Sequence, residues 1–153
     1  MGVVQGPAQQ TRPSLLLRDI QVNRGRQAVL KGLSLTIATG ATTVIVGPSG
    51  VGKSTLMGVL NGLIRPVAGE VSVAGLGSLS DPDVLREHRR RTATVFQEHA
   101  LIDRLTALDN VLLGMADRRH PLSPLPWPAD LQRRAAQALL EVGLLHRVNA
   151  RAG

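Results

Sequence analysis

The stretch GPSGVGKST, Gly47 to Thr55, limits what this chain can fold into more than any other. It needs a strand to deliver the chain, a loop with backbone angles that glycine tolerates, and a helix starting at Lys53. Both flanks agree. TTVIVG is short, apolar and β-branched, and reads as a strand buried on both faces. KSTLMGVLNGLI carries Leu56, Val59, Leu60 and Leu63 at helical spacing. Gly47, Gly50 and Gly52 let successive amides converge on one point, with Pro48, Ser49 and Val51 between them. The helix start adds its unpaired N–H groups and its dipole. Lys53 can reach the β- and γ-phosphates of a bound polyphosphate as a point charge. The hydroxyl of Ser54 can ligate the Mg²⁺ that bridges them, and Thr55 completes the motif. Even in a chain with 16 glycines among 153 residues, the pattern arises by accident in on the order of one chain in a hundred. Phosphate binding is therefore preferred over a plain glycine-rich turn.

Such a loop serves phosphoryl transfer, switching and mechanical work alike, and the rest of the chain must decide. The length suits one domain with a real core. No apolar run reaches the roughly 18 residues of a membrane span. The start, MGVVQGPAQQTRP, lacks a charged-then-apolar leader, and Gly6 stands where a myristoylation signal wants Ser or Thr. With no cysteine there is no disulfide framework and no thiolate metal site, which agrees with a cytosolic setting. The net charge of +7 rests almost wholly on arginine, since Lys31 and Lys53 are the lysines. Phe96 and Trp127 are the two aromatics, too few for a base-stacking platform. The charge reads as a solvated arginine-rich surface, and no nucleic-acid partner is expected.

SLLLRDIQV and GLSLTIATG read as strands, the second alternating Leu33, Leu35 and Ile37 with small polar residues; GRQAVLK supplies the turn between them. RPVAGEVSVAG is a turn and a strand. SDPDVLREHRRR reads as a helix with Ser80 or Asp81 as N-cap, Pro82 in its first turn and a solvated basic end. TATVFQ is expected to be a strand, and TALDNVLLGM a helix capped by Thr106. HPLSPLPWP must be a loop. ADLQRRAAQALLEV places Leu131, Ala135, Leu139 and Val142 on one helix face. The histidines have no metal-ligand partners at useful spacing.

The glycine loop of small-molecule kinases usually follows the first strand, whereas here a β-layer precedes it. From about residue 15, through VLKGLSLTIATGATTVIVGPSGVGKSTLMGVLNGLIRPVAGEVSVAG and on through TVFQEHALIDRLTALDNVLLG, the sequence resembles the first part of the ATP-binding subunit of ABC transporters. Within that family it is most similar to subunits of phosphonate importers. The likeness lies in Asn61 to Leu63, in Arg104 to Gly114, in Trp127 ahead of the last helix, and in Ala138 to Leu144.

The resemblance implies an α/β fold: a P-loop NTPase core with an antiparallel β-layer and the start of a helical subdomain, as in a truncated ABC nucleotide-binding domain. Residues 1–13 would be a flexible lead-in and 14–153 the N-terminal portion of the ATP-binding domain, with its helical subdomain beginning near 98. Gln97 would touch Mg²⁺ or the attacking water, making Lys53 and Gln97 the catalytic residues and Ser54 and Gln97 the metal ligands. ATP and Mg²⁺ would be the cofactors. The partners would be a membrane-spanning permease, lying against Glu98 to Asn110, and a second ATP-binding subunit. The place implied is the cytoplasmic face of the cell membrane, held peripherally.

Two departures stand out. Where the family stacks adenine on an aromatic, this sequence has Arg24, whose guanidinium plane can stack in its place. The family's signature, its Asp-Glu strand and its switch histidine are not found within these 153 residues. A cradle without them is expected to bind ATP weakly and not to turn it over. The rival readings are an importer subunit for another small solute, a non-catalytic remnant, and a P-loop nucleotide kinase, which would need a lid and an acceptor pocket.

Overall fold

The computed structural model describes residues 2–5, 13–96, 101–115 and 126–152. The chain divides into two compact units, Met1–Thr94 and Val95–Gly153. The first holds β1 (Gly2–Gln5), β2 (Pro13–Arg24), β3 (Gln27–Ala38), β4 (Thr43–Val46), α1 (Lys53–Leu60), β5 (Ala68–Val73), β6 (Gly77–Ser78) and α2 (Pro82–Arg91). The second holds α3 (Ala107–Gly114), α4 (Ala129–Glu141) and a 3-10 turn at Leu145–Arg147.

The β-layer is a four-stranded antiparallel sheet in the order β3-β2-β5-β6. The turn between β2 and β3 is tighter than GRQAVLK suggests, because β3 already starts at Gln27. Strict alternation along β2 would bury Leu15, Leu17, Asp19 and Gln21. Instead Leu17, Ile20 and Val22 are buried, so the buried face changes phase after Leu17. The register explains it. From Leu17↔Leu35 to Ile20↔Leu33, β2 spends three residues against two, and the next step to Gln21↔Lys31 returns the difference at Gly32. Asp19 takes a positive φ of 48° in this bulge, and its amide donates to Ser34 Oγ at 3.0 Å. A bulge thus turns LLLRDIQV into two half-strands that share one core face. Against that face pack Leu56, Val59 and Leu60 of α1, with Leu30 and Val71. Each such side chain contributes roughly 1.5–3 kcal/mol by leaving water.

Three expectations change. β4 pairs antiparallel with β1, in the register Gly2↔Val46 to Gln5↔Thr43. Gly2–Gln5 is therefore a strand rather than part of a flexible lead-in. β4 is also not covered on both faces: Val44 is 50% exposed and Val46 46%. Thr92–Phe96, expected in a strand, forms no ladder, and Val95 is 97% exposed. β-propensity is a preference for a pleated, half-covered surface, and without a neighbour it has nothing to act on.

The helices start where their caps lie. Asp81 caps α2 by accepting from the Asp83 and Val84 amides at 2.8 and 3.4 Å, ahead of Pro82. Thr106 caps α3 in a full capping box: the Asp109 amide donates to Thr106 Oγ1 at 3.0 Å, and Asp109 Oδ2 accepts from the Thr106 amide at 3.4 Å. The amides of Ala107 and Leu108 donate to Ala150 and Val148 carbonyls at 2.9 and 3.1 Å, so the segment after the 3-10 turn closes this helix end. α3 packs on α4 around Leu112, Ala135 and Leu139. Leu131 is half-buried on the same side, but Val142 lies just past the helix and is exposed. Of HPLSPLPWP, Pro126–Pro128 has no regular structure and the remainder lies outside the described residues.

Candidate functional site

Between β4 and α1 the loop Gly47–Gly50 is exposed, Val51 half-buried and Gly52 buried. Gly52 is the N-cap of α1 with φ 101°, and Gly50 has φ 79°. Both values lie where an L side chain is strained. A Cβ on Gly52 would also come within 3.1 Å of Val29 Cγ1 and 3.2 Å of Leu30 Cδ2, so β3 supports the loop from beneath. No side chain caps α1, and no acidic residue stands in its first turn. Its first ladder bond is Leu56 N–H to Gly52 C=O at 2.8 Å, which leaves the amides of Lys53, Ser54 and Thr55 ahead of the ladder. The helix thus starts on open donors and an uncompensated positive dipole end, which suits an anion.

Lys53 folds back over the loop. Its Nζ donates to the carbonyls of Gly47 at 2.8 Å and Pro48 at 2.7 Å. These neutral acceptors hold the ammonium beside the open amides, and a phosphate oxygen would be the stronger acceptor. Ser54 is exposed at the helix start while Thr55 is buried beneath it. Among the described residues no group of three or more His, Asp or Glu could hold a metal ion by itself. A cation here would arrive with the phosphates, Ser54 supplying one oxygen. The residues present therefore fit a Mg²⁺–polyphosphate.

Arg24 ends β2 opposite Gln27 and is exposed at the hairpin turn. Gln97 lies outside the described residues. Of the segment read as a partner surface, Leu101 and Ile102 are exposed and Leu105 is half-buried. Asn110 braces it, accepting from the Ile102 amide at 2.8 Å and donating to the Ile102 and Thr106 carbonyls at 3.2 and 3.0 Å.

The far end of α1 holds residues to which the sequence reading gave no role at this helix. His88, 5% exposed, donates through Nε2 to Leu60 C=O at 2.8 Å, and Arg89 Nη2 donates to Gly62 C=O at 2.6 Å. REHRRR is thus not wholly a solvated end. Arg86 and Arg91 pair at the surface with Asp83 and Glu87, but His88 and Arg89 satisfy carbonyls at the C-terminal end of α1. Asn61 closes α1: its Oδ1 accepts from the Leu63 amide at 3.1 Å, and its Nδ2 donates to Thr94 Oγ1 at 3.2 Å. An Asn-Gly pair after a periodic apolar run is a helix-end signal, which could have marked Asn61 in advance. A cleft of about 660 Å³ lies beside this end, lined by Leu63, Val67, Leu79, Leu85 and Arg89 among others, and none of Gly47–Thr55 borders it.

Comparison with known proteins fixes the family. The model of the family described as ABC transporter matches residues 30–153, most of the chain and all of the glycine loop. The chain belongs to the ABC transporter family. Among relatives of this ABC chain, the phosphonates import ATP-binding protein PhnC 2 of Rhodopseudomonas palustris is 52% identical over 95% of the chain and 51% of that protein. The phosphite import ATP-binding protein PxtA of Stutzerimonas stutzeri is 42% identical over 83% of the chain and 46% of that protein. The chain spans about half the length of the curated relatives it matches. Among solved structures, a dimeric ATP-binding cassette in a post-hydrolysis state, bound to ADP and Pi, is 30% identical with a TM-score of 0.66, covering 90% of this chain and 61% of that one. A nucleotide-free ATP-binding cassette reaches a TM-score of 0.73 at 24% identity, covering 93% and 58%, and shares the fold. The fold is thus the α/β ABC ATPase type, represented here by its antiparallel layer, the P-loop core and the first helices.

Proposed function

We propose that this chain is the nucleotide-holding part of an ATP-binding subunit that powers ABC-type import of a phosphonate. The observation that carries the reading is the start of α1, where three open amides, glycine-only geometry and the Lys53 ammonium converge on an exposed loop. In this reading Gly47, Pro48, Ser49, Gly50, Val51 and Gly52 wrap the phosphates. Lys53 leaves the Gly47 and Pro48 carbonyls for the β- and γ-oxygens, and Ser54 and Gln97 complete a Mg²⁺ site, with Thr55 buried as support. Arg24 stacks on the base. Bound ATP supplies the phosphoanhydride bond whose hydrolysis drives transport. The residues of this chain bind and orient it and offset charge on its phosphates.

The solute class is supported by the phosphonate and phosphite import relatives, both concerned with phosphorus oxyanions. The partners in this reading are a membrane-spanning permease and a second ATP-binding subunit. Braced by Asn110, the exposed Leu101–Ile102 segment offers the permease an apolar contact. No helix among the described residues is long and apolar enough to cross a membrane. In this reading the permease holds the subunit peripherally at the cytoplasmic face.

Titration calorimetry tests the cradle. Lys53→Ala should weaken Mg²⁺–ATP binding by roughly 1.5–3 kcal/mol, the range of a charge-assisted hydrogen bond. Equal affinity for the two proteins would remove the loop from the site.

A further inference from the structure

We propose that Arg24 and Arg26, at the tip of the β2–β3 hairpin, select the base of the bound nucleotide and favour 6-oxopurines (guanine and hypoxanthine) over adenine. The proposal rests on the reading that puts the phosphates in the glycine loop and the base against Arg24.

Three observations carry it. First, the hairpin is built against the loop, and both belong to the unit Met1–Thr94. The β2–β3 register passes from Val22↔Leu30 to Asn23↔Ala28, so Val29 is the extra residue of a bulge. Val29 is also the residue beneath the loop: a Cβ on Gly52 would lie 3.1 Å from its Cγ1 and 3.5 Å from its carbonyl oxygen. Second, the tip is near that support. Gln27, two residues before Val29, pairs with Arg24, a separation of about 7 Å along the strand at 3.4 Å per residue. A nucleotide held in the loop by its phosphates has this tip beside it. Third, the tip carries two cations. The pair Arg24↔Gln27 closes a two-residue turn, Gly25–Arg26, and both arginines are exposed there.

A guanidinium has five N–H donors and no acceptor. Its plane can lie on the face of any base, which holds the base without choosing among bases. Its fork, aimed at a base edge, does choose. Guanine and hypoxanthine present two acceptors there, O6 and N7, whereas adenine sets an N6 amino donor beside N7. Two arginines on one turn divide these tasks. With Arg24 on the face, Arg26 has the edge, where its fork matches a 6-oxopurine and meets a competing donor on adenine.

Titration calorimetry of the chain with Mg²⁺–ATP, Mg²⁺–GTP and Mg²⁺–ITP tests the assignment. ITP lacks the 2-amino group of GTP, so it isolates the O6–N7 edge. GTP and ITP should bind on the order of three- to tenfold tighter than ATP, the low end for bidentate readout because the tip is exposed. Arg26→Lys keeps the charge but loses the fork, and should bring the three affinities within about twofold of one another, as should Arg26→Ala. Arg24→Ala should weaken all three by a similar factor. The proposal is overturned if ATP binds as tightly as GTP and ITP, if GTP alone gains, or if the preference survives in Arg26→Ala. Lys53→Ala separates this proposal from the reading beneath it. If it weakens all three nucleotides while no base is preferred, this proposal alone fails. If it leaves all three unchanged, the cradle reading fails and takes this proposal with it.

Discussion

The helices α1 and α3 are of equal length, eight residues each, and both are apolar and packed, yet they begin in opposite ways. α3 starts on a reciprocal capping box, an acidic residue in its first turn, and two carbonyls from Val148 and Ala150 that take its leading amides. Every donor at that end is used inside the protein. α1 starts on a left-handed glycine with no capping side chain and no acid in its first turn, and the Lys53 ammonium is held over the loop by the Gly47 and Pro48 carbonyls. A helix N-terminus is worth capping in any fold, and leaving one open costs about 1 kcal/mol. The contrast within one chain is what the proposed nucleotide site rests on: α3 has a closed helix start and α1 an open one.

Gly52→Ala should break the open start most severely. The substitution forces φ 101° on a residue with a Cβ and presses that atom against Val29 and Leu30. About 1–3 kcal/mol of stability should be lost in urea melts, and ATP affinity should fall with it because the amides are re-aimed. A variant as stable as the parent would show that β3 yields and that the glycine is not required.

Thr106→Ala tests the closed start. It deletes the acceptor for the Asp109 amide and the 2.6 Å hydroxyl bond to Asp109 Oδ2. Stability should fall by about 0.5–2 kcal/mol, with no change in Mg²⁺–ATP affinity measured on the same preparation. A matching loss of affinity would mean that the two helix starts are not independent.

How far the contrast could be read from sequence follows from what each start is made of. Local chemistry was legible: GPSGVGKST specifies its own loop, and Asp81 and Thr106 mark the helices they cap, because a cap is decided within four residues. The register of β2 was not, since the Arg18–Asp19 bulge is fixed by a compensating glycine, Gly32, on another strand. Nor was the exposure of β4 or the coil at Thr92–Phe96, because strand burial depends on which neighbours pair with it. The loop geometry and the start of α1 could therefore be placed from sequence. The clamp on the other end of α1, from Asn61, His88 and Arg89, needed the positions of α2 and Thr94.

The smallest effect is the most discriminating, because its two readouts should move in opposite directions. Ser54→Asp gives α1 the first-turn acid that α2 has in Asp83 and α3 in Asp109. Ser54 is exposed, so the carboxylate has room. Next to the positive end of the helix dipole and the Lys53 ammonium, the new charge should stabilise the protein by about 0.3–1 kcal/mol at low salt, less as ionic strength rises. An ordinary helix start would show that gain alone. In the proposed site the same charge would stand where a phosphate binds, so ATP affinity should drop even as the melting temperature rises. If stability rises and affinity is untouched, the open amides of α1 do not face the nucleotide, and its missing cap is an accident of sequence rather than a site.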